Sequence, residues 1–495
     1  MSAANAPLVP ERYRLAEDLD ISRIVTGLWQ VADMERSGTA LDPELASSAM
    51  LEYARAGFDT FDMADHYGSA ELIAGRMFER VAADAPRPVA FTKWCPTPGP
   101  MTREVVREGV ERSRRRLGVE TIDLLQFHWW TYEHPAYLDA MKHLADLRGQ
   151  GLIRHLGVTN FDTEHLNVLV KHGIPVVSNQ VSFSLMDRRA AGELSALCLA
   201  NGVRLLAYGS LCGGLLSERW LGRPAPSQGE VADWSRMKYL RFVEAAGGWD
   251  ALQAVLAALD GVARKHRVSI ANVATRWVLD HPAVAAVVVG ARLGAREHRT
   301  SNLALFSFSL DDADRAAVDT ALASTTPIPG DCGDEYRRPP FLTASGDLSH
   351  HLASMPRAYS AAPVPARPRR MRVSSGSVFE PIAGYSRAFR VGDRIFVSGT
   401  TATNGADEIV CPGDPAGQTT FILDKIAASL APLGADLDDV VRTRVYLSDA
   451  DDWEAVSRAH GRRFGDLRPA NTMFEVGRLI GDYKVEIEVE AVVEV

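Results

Sequence analysis

The chain has 495 residues, 46% hydrophobic and 24% charged, the balance of a soluble globular protein too long for one ordinary domain. Lys and Arg number 54 against 63 Asp and Glu, and a net charge of -9 gives no reason to expect a nucleic-acid partner. No apolar run has the length of a membrane span or a signal-peptide core, and five scattered cysteines without a CxxC pair argue against a disulfide framework or a metal site. The expectation is a cytoplasmic protein with reduced thiols, no membrane contact and no metal.

Residues 1–21 read as an N-terminal extension. From Arg23 to about Leu322 short apolar runs alternate with amphipathic ones. Strands are predicted at Ile24–Leu28, Phe58–Phe61, Val89–Lys93, Ile122–His128, Ile153–Val158, Val176–Gln180, Val203–Tyr208 and Val287–Gly290. Helical spacing marks Glu44–Ala56, Glu104–Leu117, Pro135–Arg148, Arg188–Ala200 and Leu252–His266. Eight such repeats with right-handed crossovers make an α/β fold, a (β/α)8 TIM barrel over residues 22–325. An open doubly wound sheet would want a glycine-rich phosphate loop after the first strand, and VTGLWQV does not supply one. The long connection 210–248, rich in glycine and tryptophan, is expected to be a lid.

Residues 326–352 are turn-rich and read as an ordered tail lying on the barrel. Residues 353–372, with PVPARPRR, read as an extended Pro/Arg linker. Residues 373–495 then form a smaller α+β domain. Its strands are predicted at Arg394–Ser398, Val440–Leu447, Thr472–Val476 and Val485–Val493, with helices at Gln418–Leu433 and Trp453–Phe464.

In a parallel barrel the C-terminal strand ends carry the chemistry. The second strand leads into Asp62 and Tyr67, the third ends at Lys93 and the fourth at His128. A phenol of ordinary pKa near 10 is a poor acid at neutral pH unless its phenolate is stabilised. Lys93 would do that, with Asp62 holding the ammonium in place, while His128 orients a carbonyl oxygen beside Tyr67. Asp65 and His66, equally polar, are read as loop residues.

The motifs FDMADHYGSAE, FTKW, IDLLQFHWW, HLGVTNF, SNQVSFS and LLAYGSLCGGLL resemble those of the aldo-keto reductases, in family order. The resemblance implies carbonyl reduction with a nicotinamide cofactor through Asp62, Tyr67, Lys93 and His128, or the reverse alcohol oxidation. It implies further that Thr159, Asn160 and Gln180 hold the carboxamide, that Tyr208 stacks on the ring, and that Gly209, Ser210 and Leu211 carry the pyrophosphate. Gly290, Arg292, His298 and Asn302 would take the adenosine phosphate, and Gly27, Leu28 and Trp29 complete the cofactor contacts. His298 stands where many NADP-dependent members have Arg; Arg292, Arg296 and Arg299 still favour NADP(H) over NAD(H).

The last 120 or so residues resemble the reactive-intermediate deaminase family, RidA/YjgF-like with a chorismate-mutase-like fold, through GYSRAFRVGDRIFVSGTTA, GADLDDVVRTRVYLSD and VEIEVEAVV. Tyr385 and Glu486 match pocket residues of that family. Asn471 replaces the arginine that anchors a substrate carboxylate, and it cannot make that bidentate pair. The resemblance implies a homotrimer built through this domain, read here as a trimerising or ligand-binding module. The alternatives are a bifunctional imine or enamine hydrolase joined to a carbonyl reductase, and a non-catalytic cofactor-sensing scaffold.

Overall fold

The computed structural model describes residues 8–39, 41–82, 85–227, 234–294, 298–337 and 355–494. Two short strands, β1 (Arg12–Ala16) and β2 (Leu19–Ser22), form an antiparallel hairpin. Then come β3 (Ile24–Gly27), β4 (Thr60–Asp62), β5 (Val89–Trp94), β6 (Ile122–His128), β7 (Ile153–Thr159), β8 (Val176–Ser182), β9 (Arg204–Tyr208) and β10 (Val284–Gly290). These eight close into a parallel barrel in which β10 pairs with β3. All eight expected barrel strands are present.

The barrel's interior explains the extension at residues 1–21. Leu15, Leu19 and Ile21 of the hairpin pack with Val25, Phe91, Leu124, Leu206 and Ala286, so β1 and β2 plug the end away from the strand C-termini. Parallel register then fixes the other rim. Gly27 lies beside Asp62, Lys93 beside Gln126, His128 beside Thr159, and Ser182 beside Tyr208.

The second unit is a seven-stranded sheet. Its strands are β11 (Ser360–Val364), β12 (Arg367–Ser374), β13 (Ala388–Val391), β14 (Arg394–Thr401), β15 (Val440–Leu447), β16 (Ala470–Glu475) and β17 (Val485–Val492), in the order β11-β12-β13-β14-β17-β15-β16. The expected linker is therefore corrected over much of its length: β11 and β12 pair antiparallel and extend the sheet edge. Edge position lets Pro363 sit in β11 without breaking a ladder, and Pro368 precedes the stretch Arg370–Val373 that pairs with β13. Of the tail expected at 326–352, residues 326–337 are described, with Ile328 and Cys332 buried against the barrel; the rest lies outside the described residues.

The helix Pro415–Leu430 is not amphipathic in its setting, for every residue from Gly417 to Leu430 is buried. A helix covered on all sides needs two partners. One is its own domain, through the sheet and the helix Trp453–Phe464, and the other is the barrel surface, through the helix Thr163–Lys171 and Tyr137. Phe421 packs edge-on against Tyr137 at 6.0 Å between ring centroids. Burial of this kind joins the two units in one continuous apolar cluster.

Candidate active site

The acid and the ammonium form a buried pair at the barrel rim. Lys93 Nζ donates to Asp62 Oδ2 at 2.5 Å, with both side chains under 5% exposed. An isolated buried pair recovers little unless its remaining atoms are satisfied. Here Asp62 Oδ1 accepts from Gln126 Nε2 and Gln180 Nε2, each at 2.8 Å, and Lys93 also donates to the carbonyl of Met63. The ammonium stands 4.9 Å from the centre of the Tyr67 ring, which is wedged edge-on between Trp29 and His66.

His128 completes the rim. Burial, reinforced by the positive charges of Arg337, His66, Lys93 and Lys238, holds its imidazole well below the ordinary range, so it is neutral at pH 7. Nδ1 lies 3.8 Å from Cys95 Sγ, and Nε2 has no hydrogen-bond partner. Thr159 Oγ1 and Trp130 Nε1 are likewise buried without a partner. Unsatisfied buried polar atoms are costly, and three of them lining one cavity fit a polar ligand that supplies what they lack.

That cavity has a volume of about 770 Å³, the size range of a cofactor and substrate site. Asp62, Tyr67, Lys93 and His128 line it together with Gly27, Trp29, Thr159, Asn160, Gln180, Tyr208, Gly209, Ser210, Leu211, Gly290, Arg292, His298 and Asn302. Leu28 is the exception. Its side chain is fully buried in the core, and its backbone N–H donates to the carbonyl of Asp62.

The wall formed by Thr159, Asn160, Gln180 and Tyr208 is built by local geometry. Asn160 has a φ of 56°, a left-handed turn that Asn tolerates better than most residues, and its N–H donates to the carbonyl of Gln180. Its Oδ1 then accepts from Tyr208 Oη at 2.9 Å. Gly209 is required by the lid: at φ 69° its missing side chain leaves room for Tyr239, whose hydroxyl would lie 2.3 Å from a Cβ. The connection expected to be a lid lines the cavity through Gly209, Ser210 and Leu211 and through Arg236, Lys238 and Tyr239 of the helix Trp234–Ala245.

On the wall formed by Gly290, Arg292, His298 and Asn302, Arg299 does not join the cationic group expected there. Its Nη1 donates to the carbonyl of Glu52 at 2.7 Å and the guanidinium lies over the Tyr53 ring. Arg296 is outside the described residues. Arg292 and His298 remain as the basic groups of that wall.

Several residues that line the cavity or, like Gln126, support Asp62 from behind were missed by sequence reasoning. Gln126 was readable, because it lies two positions before His128 and strand alternation points both inward. Trp130 and His66 follow predicted strand ends, and His66 is a lining residue rather than a mere loop residue. Lys238 and Tyr336 arrive from the lid and the tail, where no periodicity announces a direction. Asp65, His66 and Cys95 bring ligand-type atoms within 4.8 Å of one another; the Asp65 carboxylate accepts from Arg112 and from the Cys95 N–H.

In the C-terminal unit the three expected pocket residues do not meet within one chain. The two faces of the sheet decide this, because neighbouring strand positions point to opposite sides. Asn471 Nδ2 donates to Thr443 Oγ1, which contacts His460 on the helical side of the sheet. Glu486 lies on the opposite face, where it is held over Gly399, whose missing side chain admits the carboxylate. Burial raises the Glu486 carboxyl above its ordinary range, and the nearby Arg387 guanidinium opposes that rise. Arg387, unforeseen from sequence, is buried, lies 5.7 Å from the Tyr385 ring centre and donates to the carbonyls of Ser398 and Gly399.

A closed parallel barrel with a buried Lys–Asp pair, a tyrosine and a neutral histidine on its rim defines a class of oxidoreductase acting on carbonyls. The comparisons agree: the aldo/keto reductase family matches residues 23–323, and the chain belongs to that family. Residues 376–493 match the family described as endoribonuclease L-PSP, so the chain is a fusion of an aldo/keto reductase with a RidA-type domain. A NADH-specific methylglyoxal reductase of Escherichia coli is 25% identical over 323 residues, covering 60% of this chain and 93% of that protein. A RutC family protein of Pyrococcus abyssi is 37% identical over 109 residues, 22% of this chain and 86% of that protein. Flagellar radial spoke protein 5 of Chlamydomonas reinhardtii is 32% identical over 216 residues, 38% of this chain, which spans 41% of that protein's length. Among solved structures, a glycerol dehydrogenase of Gluconobacter oxydans superimposes with a TM-score of 0.52 at 26% identity, covering 66% of this chain and 98% of its own. Among the described residues no helix is long and apolar enough to cross a membrane.

Proposed function

We propose that the barrel reduces an aldehyde, ketone or sugar carbonyl, or runs the reverse alcohol oxidation, with NADP(H) preferred over NAD(H). The observation that carries this reading is the convergence of Tyr67, the Lys93–Asp62 pair and the unpartnered His128 Nε2 on one cavity. Thr159, Asn160, Gln180 and Tyr208 would hold the nicotinamide end of the cofactor, and Arg292, His298 and Asn302 the adenosine end. Bound there, the cofactor supplies a hydride.

The chain's own residues handle the proton and the oxygen. Tyr67 gives its proton to the carbonyl oxygen, and the Lys93 ammonium stabilises the phenolate left behind. Asp62 keeps that ammonium charged and in place. His128, being neutral, contributes a hydrogen bond from Nε2 and fixes the oxygen beside Tyr67 without competing as an acid. The NADP(H) preference is supported by Arg292 alone among the arginines first considered, and the E. coli relative is named NADH-specific.

The C-terminal domain is read as an assembly or ligand-binding module forming a homotrimer. Separation of Asn471 from Glu486 on opposite sheet faces supports binding over hydrolysis. Exposed Phe396, Val441 and Phe474 on the face away from the helices support assembly. A screen of cofactor oxidation with aldehydes, ketones, sugars and cyclic imines tests the barrel: no turnover with any of them overturns the reductase reading. Light scattering tests the assembly, and a monomer rules out the trimer.

A further inference from the structure

The end of the cavity beyond His128 has a charge pattern that the proposed reaction does not use. Lys238 is buried to about nine-tenths, yet it lines the cavity. Its ammonium donates to Tyr336 Oη at 2.6 Å, the one hydrogen bond it makes among the described residues. Four rings surround it, with the centres of Tyr336, Tyr208, Tyr239 and Phe242 at 4.4, 5.1, 5.6 and 5.9 Å. Aromatic faces attract a cation but leave its N–H donors without acceptors.

No carboxylate pairs with this ammonium within 4 Å among the described residues. Glu335, the acid whose charge reaches it, is paired with Arg189 at 3.0 Å. Asp62, on the same rim, is taken by Lys93 and two glutamines. Tyr336 carries the link to the reaction centre, since its ring meets His128 edge-on at 5.6 Å. The Lys238 charge therefore stands one aromatic ring away from the place where the carbonyl oxygen would sit.

We infer that Lys238 and Tyr336 form a subsite for an anionic group, so that the substrate is a carbonyl compound carrying a carboxylate or phosphate a few bonds from the carbonyl. This rests on the reductase reading for the position of the carbonyl. An oxyanion would accept from the remaining N–H donors of Lys238, and a charge-assisted bond in a dry site is among the stronger polar contacts. A neutral substrate leaves them unsatisfied, which is how a site discriminates most sharply.

The test uses the full-length protein with 4-carboxybenzaldehyde against 4-methylbenzaldehyde, and glyceraldehyde 3-phosphate against glyceraldehyde, comparing kcat/KM. The carboxylate and phosphate arms separate the two kinds of anion. Preference for at least one anionic member by roughly tenfold or more is expected, as a charge-assisted hydrogen bond warrants. Lys238→Met should collapse that ratio and Lys238→Arg should keep part of it. Ratios measured on one preparation are insensitive to a fraction that fails to fold. Equal kcat/KM within both pairs, or an unchanged ratio in Lys238→Met, overturns the subsite. If the wild type reduces none of the four, the wider screen of carbonyl classes judges the reductase reading, and calorimetry with terephthalate and inorganic phosphate decides the subsite. Binding of either anion that Lys238→Met weakens supports it, and binding that is absent or unchanged in the variant rejects it.

Discussion

His165 on the barrel and Asp424 on the C-terminal domain meet across the interface, with Nε2 at 3.0 Å from Oδ2 and both side chains buried. Nδ1 of the same imidazole faces Asp162 at 2.7 Å, and Tyr132 stacks on the ring at 3.3 Å between centroids. Tyr137 Oη donates to Asp424, and Arg463 lies 3.5 Å from it. A charged imidazole between two carboxylates thus fastens the domains together.

Asp424→Asn is expected to destabilise the protein. Removing one partner of a buried charge pair costs about 3–5 kcal/mol. The pH dependence gives a second readout. Burial lowers the His165 pKa, but the Asp162 and Asp424 carboxylates outweigh it and push it up to about 9. With the folded value above the ordinary 6.5, this contribution is fully present below pH 6.5 and is lost as pH rises through 9. Thermal unfolding from pH 6.5 to 9 should show a fall in the wild type and a shallower one in the variant. Parallel curves would show that His165 is not the group that titrates.

Tyr67→Phe is expected to lose about 10²- to 10⁴-fold in kcat, the usual worth of a positioned acid, while leaving cofactor affinity nearly intact. Fluorescence titration of the cofactor alongside steady-state rates separates the two. Rates like the wild type's would sink the mechanism.

Asp62→Asn keeps the shape of the rim and removes the anion facing Lys93. An amide offers a weaker, uncharged acceptor, so the Lys93 ammonium is held less firmly beside the Tyr67 ring. The kcat should fall, and Asp62→Asn should add little to the loss already caused by Lys93→Met. Additive losses would mean that Asp62 does not act through the lysine.

Arg292→Ala should weaken NADPH more than NADH. A charge-assisted contact is worth about 1.5–3 kcal/mol, roughly ten- to a hundredfold in Kd. Titration of both cofactors with both proteins measures it. Equal losses, or a wild type that binds NADH more tightly, would reverse the stated preference.

The barrel was legible because each of its strands is a short apolar run bounded by turn residues, and strand ends then collect Asp62, Lys93 and His128 without further information. Thr159 and Tyr208 also close strands and line the same cavity, but their expected roles came from the family resemblance. Leu28 lies off the cavity because the next residue after a strand can face either way, and here its side chain faces the core. Lys238 and Tyr336 were invisible because their directions are set by packing between a lid and a tail 98 residues apart. The β11–β12 hairpin hid for a different reason: half of the residues in RPRRMRVS are arginines and only Val373 in it is buried. Nothing in that pattern distinguishes an edge strand from an extended linker.

The helix Pro415–Leu430 also sets a timetable. His165 leaves the ribosome 259 residues ahead of Asp424, an interval on the order of 10–50 s at ordinary synthesis rates of about 5–20 residues per second. Over the later part of that interval, once β10 has been made as far as Gly290, the barrel has all its strands while the surface meant for this helix is wet. A nascent chain at that stage presents the same face as a chain truncated before Pro415, and chaperones or proteases would meet both alike.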